Sequence, residues 1–177
     1  MSAADAPHAV LLTGTVGAGK TTVAAAVGDL LMAAGVPNAV VDLDELRRSW
    51  PCPPGDPFNL DLELRNLGPV AANYLDAGAR RLVLAGVVET RVHVERYRDV
   101  LGIGLTVCRL RVDPAVVQQR LVRRHGGDGP ALRWHAKRAV ELEDVLDSVQ
   151  AYEVEVVAGL DPPALVAQGV LQALGWS

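Results

Sequence analysis

The sequence predicts a three-layer α/β fold, in which a parallel sheet lies between two sets of helices. Three observations carry this. Short apolar runs alternate with segments of helical period about five times along the 177 residues. The runs are apolar on both faces, as strands covered on both sides by helices require. The first run passes into a helical segment through a glycine-rich turn, residues 14–21.

The elements follow in order. Residues 9–13 (AVLLT) form the first strand, and 20–34 carry small and apolar residues at helical spacing until Gly35. Residues 39–43 (AVVDL) form the second strand. Four prolines between 50 and 57 forbid regular structure there. Residues 60–77 read as a helix stopped by Gly78, and 81–88 (RLVLAGVV) as the third strand. A helix over 89–101 and a fourth strand over 105–112 come next. Asp113 and Pro114 then supply a cap and a first-turn proline for a helix running to about 124. Gly126, Gly127, Gly129 and Pro130 read as a mobile loop, followed by a helix over 132–146, a fifth strand over 154–157 and a last helix over 164–174.

Half of the residues are apolar and few are aromatic, so Val, Leu and Ala must build the core of a single domain, 1–177. The net charge of −4, with both signs interspersed, argues against a partner such as nucleic acid, whose backbone calls for dense Lys and Arg. Cys52 and Cys108 read as free, reduced thiols. The first eight residues lack the pattern of a signal peptide. No apolar stretch reaches the roughly 18 residues that span a bilayer. The expectation is a cytoplasmic protein without a membrane partner, either a monomer or a homodimer.

The strongest signal is Gly14-Thr15-Val16-Gly17-Ala18-Gly19-Lys20-Thr21, a strand, glycine-rich loop and helix in the order that a phosphate cradle demands. Backbone N–H groups of such a loop and of the helix N-terminus surround phosphate oxygens. Gly14, Gly17, Ala18, Gly19, Lys20, Thr21 and Thr22 are the candidate nucleotide-binding residues. Lys20 would reach the β- and γ-phosphates, and the Thr21 hydroxyl would ligate Mg²⁺. The chain has only two lysines, so a chance match is expected about once per thousand such chains.

From the cradle onward the chain resembles the small P-loop kinases of the nucleoside-monophosphate-kinase type, especially the adenylylsulfate kinase, gluconate kinase and shikimate kinase branch. The resemblance covers nearly the whole length. It implies a five-stranded parallel sheet in the order 2-3-1-4-5, with a short lid over the nucleotide at about 124–133. It also implies transfer of a phosphoryl group from ATP with Mg²⁺. Similar kinases carry a D-x-D or D-x-D-x-x-R element where this chain has Asp42-Leu43-Asp44-Glu45 and Arg47. There one carboxylate faces Mg²⁺ and another orients the acceptor or takes its proton, which points to Asp42 for the metal, Asp44 for the acceptor and Arg47 beside it. Strand alternation puts Asp42 and Asp44 on one side; the plain alternative is a helix N-cap. Arg65 and Asn66 lie on the helix that holds the acceptor in adenylylsulfate kinases, although adjacent residues do not share a helical face. Glu89, Thr90 and Arg91 follow the third strand, where similar kinases contact the acceptor, and Arg91 could clamp an anion bidentately.

Arg120, Arg123 and Arg124, with Arg133 across the loop, resemble the arginines of a kinase lid. Phosphoryl transfer places charge on equatorial oxygens, which positioned cations stabilise. Arg120 and Arg124 therefore join Lys20 and Asp44 as candidate catalytic residues; the plain alternative is a match to the helix dipole. Residues 159–163 match the position of a loop that wraps the adenine in similar kinases.

These readings favour a small-molecule kinase with a hydroxyl or anionic acceptor. A nucleoside or nucleotide kinase is the second reading, with Trp50 or Phe58 stacking on a base. A nucleotide-binding regulatory protein or slow NTPase is the third. The sequence AVVDLDE also resembles the strand of water-activating ATPases, but the chain lacks room for their insertion and second domain. The third strand carries no acidic residue, unlike many relatives. No N-K-x-D motif is present, which favours ATP over GTP.

Overall fold

A computed structural model describes residues 6–126 and 129–176. In chain order the elements are β1 (His8–Thr13), α1 (Lys20–Ala33), β2 (Asn38–Asp42), α2 (Leu43–Leu46), α3 (Leu60–Asp76) and β3 (Arg81–Ala85). They continue with α4 (Arg91–Leu101), β4 (Gly104–Arg111), α5 (Pro114–His125), α6 (Pro130–Val149), β5 (Val154–Val157) and α7 (Pro163–Leu174). The five strands form one sheet in the order β2-β3-β1-β4-β5, with every neighbouring pair parallel.

Strand alternation sorts the core into two layers. Val10, Leu12, Val83, Ala85, Cys108 and Leu110 face α1, α5 and α7. Ala9, Leu11, Leu82, Leu84, Leu105 and Val107 face α3 and α4. Residues 9–12 of β1 are fully buried, because helices cover both faces of the sheet and β3 and β4 cover both edges of the strand. Among the described residues no helix is long and apolar enough to cross a membrane.

Most element boundaries match the sequence expectation, and the differences have local causes. β3 stops at Ala85, not at 88. A side chain at Gly86 would meet Leu43 at 2.6 Å, so the backbone passes close to that leucine as it leaves the sheet. The Val88 N–H then donates to Thr13 Oγ1 at 3.1 Å. α6 begins at Pro130, two residues before its expected start, with the proline in the first turn where its missing N–H does no harm. Gly127, expected in the loop before it, lies outside the described residues.

α6 is fastened to the sheet by a buried charge. The Arg109 side chain, on β4, is fully buried and donates to Glu143 and Asp147, each at 2.7 Å. Those two acids stand one turn apart on α6. Glu155 of β5 lies 3.6 Å away, and the Tyr152 ring sits 5.4 Å from the guanidinium. A second anchor is Thr15, whose hydroxyl donates to the Ala139 carbonyl at 2.7 Å. Arg109→Met should lower stability by about 3 kcal/mol, because it leaves Glu143 and Asp147 without their counter-charge, while Glu155 keeps Arg111 at 3.5 Å. The midpoint of urea unfolding followed by circular dichroism reads this. An unchanged midpoint would mean that apolar packing alone holds α6.

Candidate active site

The cradle sits where β1 turns into α1, at the C-terminal edge of the sheet. Gly14 has φ +152°, and a Cβ there would lie 2.8 Å from the Leu110 carbonyl oxygen, so only glycine fits. Gly19, at φ +91°, occupies the left-handed region and leads into the first turn of α1. The N-terminus of α1 carries no acidic side chain, so its free N–H groups and dipole remain available to an anion. Lys20 Nζ donates to the carbonyls of Gly14 and Thr15 at 3.0 Å each. Burial lowers the Lys20 pKa to about 8, which leaves the ammonium mostly charged at neutral pH.

The two carboxylates after β2 arrive differently from the expectation. β2 ends at Asp42, and Asp44 stands in α2, a single helical turn, so strand alternation does not relate them. Asp42 is the N-cap of that turn: its Oδ1 accepts from the Asp44 N–H at 3.0 Å. Its Oδ2 accepts from the Thr21 hydroxyl at 2.8 Å. The capping role and the juxtaposition with the cradle are thus both present. The signal for α2 was legible, since Asp42 and Glu45 have capping-box spacing. Asp44 accepts an ion pair from Arg47, whose other terminal nitrogen lies 3.4 Å from Glu63 Oε2.

Val16 to Val23, Asp42, Asp44 and Arg47 line one cleft of about 1120 Å³ together with Arg120, Arg123 and Arg124. Arg120 is engaged with backbone: it donates to the carbonyls of Ala18 at 3.1 Å, Gly17 at 3.5 Å and Gly159 at 2.6 Å. Arg123 and Arg124 make no hydrogen bond or ion pair within the described residues. Leu160 to Pro163 form the opposite wall beside Arg120.

Three of the expected acceptor residues do not line this cleft. Arg65 is exposed on α3. Asn66 donates to the Leu46 carbonyl at 2.7 Å and so ties α3 to α2. Arg91 donates to the Gln150 carbonyl at 3.3 Å and is not part of the lining. Trp50 is exposed outside the cleft, whereas Phe58 lines it.

Other residues enter that sequence reading had not singled out. Glu63 is buried on α3 and accepts from the Tyr97 hydroxyl; burial pushes its carboxyl up to about 7. Arg138 of α6 pairs with Glu89 and lays its guanidinium 4.9 Å from the centre of the Phe58 ring. Trp134 lines the cleft one turn before Arg138. Their i, i+4 spacing on a helix is the signal that could have placed both on one face.

Residues 6–102, more than half of the chain, match the family model of adenylylsulphate kinase. The chain belongs to the adenylylsulphate kinase family. The matched region contains the cradle and both carboxylates but ends before β4, so α5, α6 and their arginines lie outside it. Solved structures reproduce the whole fold of this family member. Shikimate kinase from Acinetobacter baumannii, in complex with shikimate, is 19% identical with a TM-score of 0.66, covering 97% of this chain and 94% of that one. The Deinococcus radiodurans tunicamycin resistance protein is 18% identical with a TM-score of 0.65, covering 96% of each chain. The Mycobacterium tuberculosis APS kinase, in complex with AMPPNP and APS, is 19% identical with a TM-score of 0.60, covering 96% of this chain and 98% of that one. No curated protein matches the sequence. Membership of the adenylylsulphate kinase family makes the chain a phosphotransferase of the P-loop kinase type.

Two pH dependences follow. Lys20 should hold a nucleotide only while protonated, so affinity for a fluorescent ATP analogue should be flat from pH 6.5 to 7.5 and weaken about tenfold per unit above pH 8. A flat profile to pH 9.5 would exclude Lys20 as the charge that is lost. For Glu63 the sign is the reverse of the usual acid. Its folded pKa lies above the ordinary 4.5, so the folded state holds the proton more tightly and stability falls as pH rises from 4.5 through 7. Glu63→Gln should flatten that part of the melting-temperature profile.

Proposed function

We propose that this chain is an ATP-dependent small-molecule kinase that transfers the γ-phosphoryl group to an acceptor hydroxyl. The observation that carries this reading is the meeting of Lys20, Thr21, Asp42, Asp44 and Arg124 in one cleft. At about 1120 Å³ the cleft lies at the upper end of the range of ligand sites, with room for a nucleotide and a small acceptor.

The loop amides and Lys20 bind the triphosphate, and the wall at Leu160 to Pro163 faces the base. Thr21 Oγ1 and the Asp42 carboxylate, in contact at 2.8 Å, offer oxygen ligands suited to Mg²⁺. Among the described residues no group of three or more His, Cys, Asp or Glu is placed to hold a metal ion, so an ion between Thr21 and Asp42 would take its remaining ligands from outside the protein. Mg²⁺ held there would neutralise part of the charge of the triphosphate. Asp44 accepts the proton of the acceptor hydroxyl, and Arg47 fixes the orientation of that carboxylate. Arg124 meets the charge on the transferred group, while Arg120 acts by holding the cradle in shape. Arg65, Asn66 and Arg91 are not needed in this arrangement.

Asp44→Asn should keep nucleotide affinity within about threefold and lower acceptor-dependent turnover by about 10²–10⁴. Lys20→Ala should lose the nucleotide itself. Equilibrium binding of the ATP analogue and ADP release, with and without acceptor, separate the two. Loss of nucleotide binding in the Asp44 variant would move that residue to the metal and out of acceptor chemistry.

A further inference from the structure

The acceptor end of the cleft is lined by two guanidinium groups, and a carboxylate already holds each. Arg47 donates to Asp44 and has Glu63 Oε2 at 3.4 Å. Arg138 donates to Glu89 and has Glu141 Oε2 at 3.6 Å, with its face over the Phe58 ring. Asp44, Arg47, Glu89 and Arg138 therefore sum to zero charge. Neither arginine presents an open fork, the geometry by which a carboxylate, sulfate or phosphate is recognised. The other candidates point elsewhere, Arg91 to the Gln150 carbonyl and Arg65 outside the cleft lining. Arg123 and Arg124, without partners among the described residues, line the cleft with the cradle, where phosphate charge has to be met.

An anion entering this end would have to break an ion pair, leave a carboxylate unpaired and approach that carboxylate. Each step opposes binding. A neutral polyol or ring has no such cost. The walls favour one with an apolar side: Phe58 and Trp134 line the cleft while 41% and 55% exposed, leaving aromatic surface for a ligand to cover. Glu89 and Arg138, locked together, still offer donors and acceptors at their outer edges for hydroxyl groups.

We propose that the acceptor is an uncharged, hydroxyl-bearing molecule with an apolar or aromatic face, and that the Glu89–Arg138 pair is the device that rejects anionic acceptors. The proposal rests on the kinase reading above and narrows it, because adenylylsulfate, shikimate and gluconate are all anions. Glu89 is then a specificity-determining residue, removing from Arg138 the charge that would otherwise attract a carboxylate or sulfate.

The test uses paired compounds that share a scaffold and differ in charge: adenylylsulfate and adenosine, shikimate and its methyl ester, gluconate and glucitol. 4-Nitrophenyl β-glucoside serves as a neutral ring with an aromatic face. Binding to the full chain is measured by calorimetry with Mg·AMPPNP present, and turnover by ADP release with Mg·ATP. The expected result is binding of at least one neutral compound, tenfold or more ahead of its anionic counterpart where it has one. Glu89→Gln should shift the ratio at least tenfold toward the anion. Preference for an anion by the parent protein, absence of binding by every neutral compound, or an unchanged ratio in Glu89→Gln would overturn the proposal. Mg·AMPPNP binding is measured first and separately. Its failure would overturn the kinase reading itself, whereas nucleotide binding with an anion preferred would overturn only the acceptor class.

Discussion

The position of β1 governs everything else in this molecule. It is the central strand, paired in parallel with β3 on one side and β4 on the other, and its apolar residues are buried by helices on both faces. A strand so enclosed can turn only at its end. In a parallel sheet all the strand ends of one kind share an edge. The cradle after β1, the carboxylates after β2, Glu89 after β3 and the wall after β5 therefore converge without any one of them being built for the others. Asp42 stands opposite Ala85 in register, and Thr13 opposite Arg109, so the edge is level to within a residue or two.

This explains what could be read from the residues alone. The sheet, its parallel sense and the cradle depend on patterns local in sequence: apolar runs of four or five residues, and a glycine-rich turn whose spacing few other structures need. Those were legible. Asp42 and Thr21 could be expected near one another, because the end of β2 and the start of α1 lie on a shared edge, but their direct hydrogen bond could not be read. What could not be read is where a side chain on a helix is aimed. Arg91 and Arg65 have the expected chemistry, yet one donates to the Gln150 carbonyl and the other faces solvent. Arg138 and Glu89 are 49 positions apart, and nothing in their neighbourhoods marks them as partners. Helix rotation is set by the whole packed face, and α6 is rotated by Arg109, whose partners Glu143 and Asp147 look like ordinary surface acids.

The distribution of charge gives the cleft two regimes. Lys20, Arg123 and Arg124 line the cleft with the cradle, and in the proposed function they meet phosphate charge. Around Asp44 and Glu89, each arginine is matched by a carboxylate at contact distance and has a second one within 4 Å. In the proposed reaction this asymmetry would favour transfer, because the cations would hold the triphosphate while the paired arginines offered no competing site for an anion. Asp42 sits at the boundary, its two oxygens divided between an N–H of α2 and the hydroxyl of Thr21. A shift of the α2 turn would therefore be felt in the cradle.

Arg120 has a consequence of a different kind. One guanidinium bridges the carbonyls of Gly17 and Ala18 on the cradle and of Gly159 on the loop after β5. Left alone, two glycine-bearing loops would sample many conformations, and a nucleotide would have to order both at once, at about 1–2 kcal/mol for each residue immobilised. The bridge makes that ordering part of folding. A ligand then meets a groove whose two ends are already at a set distance, so the free energy of its contacts appears as affinity instead of being consumed in arranging the protein.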